Sequence, residues 1–213
     1  MSGIYIHIPF CKKACHYCDF HFSTSFKYKD QMINSLKHEI LIRNRELKGE
    51  KIESIYFGGG TPSVLNIREI NSLIETVYDN YLVNDSVEIT LEANPDDLTD
   101  EKILELSNSR VNRLSIGVQS FFEKDLKLMN RSHTSNQAMN CIKSAGKYFD
   151  NISVDLIYGV PGLDNSRWKE NIEILISHNI SHISAYALTV EPKTALKKYI
   201  DNGIIAPIDD SQS

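Results

Sequence analysis

The chain has 213 residues, 41% of them hydrophobic and 24% charged, with a net charge of −5. That length and balance suit one well-packed domain and exclude a largely disordered chain. The acidic balance argues against a nucleic-acid binder, which presents a basic face. No apolar run approaches the ~20 residues of a membrane span, and residues 1–10 carry no basic leader or cleavage site, so the expected setting is the cytoplasm.

Taken in order, the chain alternates between two hydrophobic periods. Strands are predicted at Ile4–Ile8, Ser54–Phe57, Val87–Glu92, Arg113–Val118, Ile152–Tyr158 and His182–Leu188, each rich in Ile, Val, Leu or Tyr and closed by Gly, Pro or polar residues. Helices are predicted between and after them at Lys27–Leu47, Ile67–Tyr81, Asp100–Asn108, Phe122–Asn130, Gln137–Phe149 and Trp168–His178. In the second of these, Ile67, Ile70, Leu73, Ile74, Val77, Tyr78 and Tyr81 follow the 3.6 period. Asp100 and Glu101 after Thr99 suit a first helical turn. Repeated strand–helix units predict an α/β fold, a parallel sheet with helices outside, joined by right-handed crossovers. Whether the sheet lies flat or curves into a partial barrel is left open by spacing. In both cases a ligand site belongs at the carboxyl ends of the strands.

The chemistry-bearing motifs fall at those ends. After the first strand comes Cys11-Lys-Lys-Ala-Cys15-His-Tyr-Cys18, which holds three of the four cysteines within eight residues. Thiolates are soft ligands that favour zinc or iron–sulfur clusters. A closed structural zinc site takes four ligands, so a Cys₃His site completed by His7 or His16 is the competing assignment. Three thiolates on a [4Fe–4S] cluster would leave one iron open to a ligand. Cys141 stands alone in a predicted helix and reads as a buried thiol.

The second strand ends in Gly58-Gly-Gly60-Thr61-Pro62, where glycines permit close backbone approach; the lysine of a phosphate-binding loop is missing. The third ends in Glu92-Ala-Asn94-Pro95, which aims a carboxylate at the site. The fourth gives Gln119, whose amide suits a ribose, and the helix after it gives Arg131, whose planar fork matches a carboxylate. Asp155 is a charge inside an apolar strand and needs a partner there. Tyr186 reads as core or rim.

The C-x₃-C-x₂-C run, with Tyr17 before its last cysteine, resembles the signature of radical S-adenosylmethionine (SAM) enzymes. Together with Ile4–Cys11, Tyr56–Pro62, Glu92–Pro95, Ser115–Gln119, Met129–Arg131 and Asp155–Pro161, it resembles the oxygen-independent coproporphyrinogen III oxidase-like family over nearly the whole chain. The resemblance implies a partial (β/α)6 barrel. It implies a [4Fe–4S] cluster on Cys11, Cys15 and Cys18, with SAM chelating the open iron through its amino and carboxylate groups and yielding a 5'-deoxyadenosyl radical on reduction. Tyr5, Tyr17, Gly59, Gly60, Thr61, Glu92, Gln119, Arg131, Asp155 and Ala187 match SAM-site positions of the family.

Two branches divide on residues near the cluster. The oxidase branch carries a further cysteine two positions after the third, where this chain has Phe20, and an N-terminal extension, where this chain has ten residues before Cys11. The match is therefore to the haem chaperone branch, which binds haem and delivers it to haem-dependent targets; decarboxylation of coproporphyrinogen III is the alternative. The implied partners are haem or a porphyrin, haem-accepting proteins and an electron donor, with membranes met only through targets. Members of both branches continue into a smaller C-terminal domain, so residues 1–213 are expected to be the radical SAM core without it.

Overall fold

A computed structural model of the chain describes residues 2–47 and 49–207. The two ends of the expected 1–213 core, residue 1 and residues 208–213, lie outside the described residues.

Six strands form one sheet in chain order: β1 (Ser2–Ile8), β2 (Ile52–Gly59), β3 (Val83–Ala93), β4 (Arg113–Gln119), β5 (Ile152–Tyr158) and β6 (His182–Ala187). Every neighbouring pair is parallel. The helices are α1 (Lys29–Ile42), α2 (Ile67–Asn80), α3 (Asp100–Ser107), α4 (Glu123–Leu128), α5 (Ser135–Ala145), α6 (Asn165–Ser177) and α7 (Ala195–Asp201). Among the described residues β1 and β6 do not pair, so the barrel stays open.

Register explains how the sequence builds two different faces. Ile6, Phe57, Leu91 and Leu114 lie side by side across four strands and are all buried. They join the main core with Ile70, Leu73, Ile74 and Val77 of α2 and Ile103 and Leu106 of α3. Residues one position away point to the concave side: Tyr5 beside Tyr56 beside Thr90, and Asp155 beside Gly117 and Ser184. Side-chain alternation in a strand has period two, so the apolar and polar sets separate cleanly.

Local signals set the helix ends. Asn66 and Glu69 close a capping box at α2, and Thr134 and Gln137 close another at α5. Thr99 caps α3 by accepting from the Lys102 N–H. Three expectations need correction. The first helix ends at Ile42 and not at Leu47, because Arg43 turns out of the helix with its guanidinium held between Glu39 and Glu46. Leu47 still packs on the core, which is why its apolar phase reads as helix. The helix expected from Trp168 starts at Asn165, since Asp164 accepts from the Arg167 N–H at 2.9 Å. Helix α7 had no counterpart among the predicted elements; Thr194 caps it.

A second apolar cluster, Leu126, Met129, Ile157, Val160, Leu163, Leu188 and Leu196, sits apart from the main core, with Tyr17 packed against it. It ties α4, α6 and α7 together at the carboxyl end of the sheet. Among the described residues no helix is long and apolar enough to cross a membrane.

Candidate functional site

The cysteine loop is held from several sides. Cys11 N–H donates to Ser23 O at 3.0 Å and Ser23 N–H to Pro9 O at 2.8 Å, closing the loop's base. His16 N–H donates to Met129 O at 3.0 Å, its ring Nδ1 bonds Leu128 O at 2.8 Å, and the Asn130 amide donates to Ala14 O at 2.7 Å. From the other side α7 donates Leu196 N–H to His16 O at 2.8 Å, and Tyr199 meets the His16 ring edge-on. The Met129-Asn130-Arg131 motif is thus a bracket for the loop: Met129 is buried in the second cluster and Asn130 takes a left-handed turn at φ +57°. Of the two histidines weighed as zinc ligands, His16 bonds Leu128 O through Nδ1, and His7 bonds the Tyr5 hydroxyl through Nδ1 and lies against Gly59.

The glycine segment closes the opposite wall. Gly59 has φ +115°, and a Cβ there would meet the His7 ring at 2.6 Å. At Gly60 a Cβ would meet Phe10 O at 2.9 Å and Cys11 Sγ at 3.0 Å. Glycine at 59 leaves room for the His7 ring in a left-handed backbone conformation, and glycine at 60 lets the backbone pass directly against the start of the cysteine loop.

Two of the thiols receive side-chain donors: Thr61 Oγ1 donates to Cys11 Sγ at 3.4 Å and Arg131 Nη1 to Cys15 Sγ at 3.3 Å. Burial, followed by the charges of neighbouring thiolates, pushes Cys11 and Cys18 above the usual thiol range; the hydrogen bonds from Thr61 and Phe20 work against that rise. Metal coordination removes those protons, so binding of a cluster by the trio would release protons. Among the described residues no three His, Cys, Asp or Glu side chains converge on a single ion position. Three thiols on one short loop are the donor set of a [4Fe–4S] cluster that keeps one iron open to a further ligand.

Behind the cysteines opens a cavity of about 720 Å³, within the size range of small-molecule sites. It is lined by Cys11, Cys15, Cys18, Tyr17, Gly59, Gly60, Thr61, Glu92, Gln119, Arg131, Asp155 and Ala187. Of the ten positions matched to the SAM site, Tyr5 alone lies outside this lining. It lies on the concave face, 57% exposed and stacked on Tyr56, whose hydroxyl donates to Glu92 Oε1 at 2.7 Å. Tyr5 thus reaches the cavity wall through Tyr56.

The cavity's polar groups are of two kinds. Glu92 also accepts from Gly59 N–H at 3.2 Å, yet burial and then Asp155 hold its carboxyl above the ordinary range. Burial likewise raises Asp155, against the opposing hydrogen bond from Ser184. Two desolvated carboxylates facing one cavity call for a ligand that brings a cation or hydroxyl donors, and the ammonium and ribose of SAM supply both. Gln119 ends β4 at φ +70°, a left-handed conformation uncommon outside glycine, at a register shift against β5. That turn accompanies its placement at the cavity. Arg131 spends Nη2 on Asn94 Oδ1 at 2.6 Å and Gly117 O at 2.7 Å, while Nη1 faces Cys15 and the Tyr17 hydroxyl. The cavity and its donor set therefore fit a cluster with SAM beside it.

Sequence reasoning gave Asn94 no role, although it lies in a quoted motif. It accepts from Arg131 and donates to Thr61 Oγ1 at 3.4 Å. A buried group it also passed over is Asp125, which accepts from Ser120 at 2.8 Å and pairs with Arg167 at 3.4 Å beneath the β4–α4 turn.

Comparison with known proteins agrees with this geometry. The radical SAM superfamily profile matches residues 5–181. The heme chaperone HemW of Buchnera aphidicola from Acyrthosiphon pisum is 39% identical over 199 residues, covering 90% of this chain and 52% of that protein. HemW of Lactococcus lactis is 35% identical, covering 96% of this chain and 53% of its own length. The chain thus spans about half the length of these curated relatives. The solved structure of Escherichia coli coproporphyrinogen III oxidase, HemN, a radical SAM enzyme, superposes with a TM-score of 0.87 at 28% identity, covering 99% of this chain and 49% of that one. From the partial barrel, the three-cysteine loop at its carboxyl end and the match across residues 5–181, the chain belongs to the radical SAM superfamily, whose members use a [4Fe–4S] cluster and SAM.

Proposed function

We propose that this chain is the core of a haem chaperone. In this reading Cys11, Cys15 and Cys18 carry the cluster. Tyr17, Gly59, Gly60, Thr61, Glu92, Gln119, Arg131, Asp155 and Ala187 surround SAM, with Tyr5 acting through Tyr56. Residues 1–213 are then one core domain, and haem is cargo passed to a haem-dependent protein.

The observation that carries the reading is the rim. Phe20 stands 71% exposed at the cavity mouth, where it lines the cavity together with Phe22. An exposed aromatic ring beside a ligand cavity marks a contact surface, and the flat apolar face of a porphyrin suits it. The named HemW relatives favour the same branch. The oxidase alternative requires a substrate macrocycle enclosed from water, and an open apolar rim supports holding a macrocycle better than processing one. The cluster and SAM supply one-electron chemistry when bound, with an electron donor as the further partner. The protein's own part is to hold the thiolates, present carboxylates to SAM and exclude water.

The test uses the full-length protein, reconstituted anaerobically. A haem titration followed by the Soret band runs beside an assay with SAM, reductant and coproporphyrinogen III. Saturable haem binding without turnover is expected, and Phe20→Ser should weaken haem binding at least several-fold. Robust formation of protoporphyrinogen IX overturns the chaperone reading.

A further inference from the structure

The cluster sulfurs are not equivalent, and the difference traces to one side chain. The Asn94 amide has a direction. Its Oδ1 accepts from Arg131 Nη2 at 2.6 Å, so its Nδ2 is the end that donates, to Thr61 Oγ1 at 3.4 Å. The backbone N–H of Asn94 is fixed in turn by Ser63 Oγ at 3.1 Å. With one Thr61 lone pair engaged, the hydroxyl hydrogen points away from Asn94, and the acceptor it meets is Cys11 Sγ at 3.4 Å. Arg131, at the other end of the chain of bonds, points Nη1 at Cys15 Sγ at 3.3 Å. Its position is locked by Gly117 O at 2.7 Å. A Thr–Asn–Arg relay thus delivers a neutral donor to one sulfur and a cationic donor to another.

We infer that Thr61 and Arg131, oriented by Asn94 between them, set the reduction potential of the cluster through Cys11 and Cys15. Adding an electron makes the cluster and its thiolates more negative, so hydrogen bonds and positive charge at sulfur favour the reduced state. The cationic donor is the stronger of the two, since charge-assisted bonds are about twice as strong as neutral ones. Bonds in a directed chain also reinforce one another. Thr61 and Arg131 act on the cluster through its ligands, and Asn94 acts one step further back; Asn94 is a positioning residue. This role is separate from any contact that either residue makes with SAM.

The inference rests on the cluster-binding reading above, and the experiment separates the two. Full-length protein is reconstituted anaerobically, its iron and sulfide are counted, and its midpoint potential is measured without SAM by dye-mediated titration followed by EPR. Arg131→Gln should shift the reduction equilibrium about tenfold toward the oxidised cluster, which is about 59 mV lower for one electron. Thr61→Val, which keeps shape and removes the hydroxyl, should shift it about threefold in the same direction, and Thr61→Ser should restore the wild-type value. Asn94→Leu should lower the potential without touching a sulfur directly, and adding Thr61→Val to it should cost less than Thr61→Val alone. A wild-type protein without iron sinks the cluster reading itself. Variants that hold a full cluster at the wild-type potential overturn this inference while leaving that reading intact. Should Arg131→Gln lose its iron, the Thr61 pair decides by the same criterion.

Discussion

The same six strands present two faces built on opposite rules. Toward the helices, Ile55, Phe57, Leu91, Leu114, Ile116, Val118 and Val154 are wholly buried and apolar. Toward the concave side stand Tyr5, Tyr56, Glu92, Ser115, Asp155 and Tyr186, several of them open to solvent or to the cavity. A closed barrel fills its interior with branched apolar side chains. Here that volume is left as a polar wall, and burial against the helices supplies the cohesion. The face that folds the chain and the face that binds ligand are therefore separable, one residue apart along each strand.

Substitutions test that separation, beginning with the largest effect. Replacing Cys11, Cys15 or Cys18 with Ala should abolish the cluster while leaving thermal unfolding of the apo chain close to wild type. Cys141→Ala should keep the cluster, because that thiol is buried away from the cavity and burial pushes it up to about 12. The checks are iron content and the broad absorbance near 400 nm. On the helix side, Leu91→Ala should destabilise by about 2–5 kcal/mol in urea unfolding, the usual cost of a core cavity. Its iron content after reconstitution below the unfolding midpoint should be unchanged.

A third experiment uses pH. His133 belongs to the helix side, with Nε2 bonded to Val118 O at 3.0 Å and burial, aided by Arg131, holding it down at about 4. Unfolding frees it to titrate near its ordinary value of about 6.5. The unfolded chain therefore binds the proton first, and stability should fall as pH drops from about 6.5 toward 4, by up to ~3 kcal/mol from this group. His133→Asn should flatten that slope. The concave face has the opposite sign. Glu92 and Asp155 are raised, so the folded chain binds their protons first and gains stability as pH falls through their folded values toward the ordinary carboxylate range. A Glu92→Gln/Asp155→Asn variant should lose that gain. An unchanged pH profile in both variants would dissolve the contrast between the faces.

The smallest expected effect is also the most specific. Asp155→Asn should leave urea stability equal or slightly higher, because it removes a desolvated charge. SAM affinity should weaken about tenfold, near 1.4 kcal/mol. Equilibrium dialysis with the cluster intact measures it. Wild-type affinity would remove Asp155 from the ligand set.

The sequence was most legible where one residue reports one thing. Ile-, Val- and Leu-rich runs placed all six strands, because alternation and burial coincide in them. Cys11, Cys15 and Cys18 announced their loop by spacing alone. Glu92 stood out by its place at the carboxyl end of a strand, and Asp155 because charge interrupts an apolar strand. Asn94 did not, for its importance lies in the direction of its amide between two partners 33 and 37 residues away. Tyr5 was matched to the site by resemblance, yet it stops one ring short of the cavity, a distance that strand pattern does not encode. Helix α7 escaped because seven residues are too few to display a period, and what holds it is the cysteine loop.

That hold gives the molecule an order of failure. The small cluster of Leu126, Met129, Leu188 and Leu196 carries the bracket under the cysteine loop, while the sheet rests on a separate and larger body of side chains. Regions with fewer buried contacts open first, in units of their own. Gentle warming or dilute denaturant should therefore let a chelator strip the iron while the strands still protect their amides from exchange. The metal site would wear out as a replaceable part, and the barrel would outlast it, ready to be loaded again.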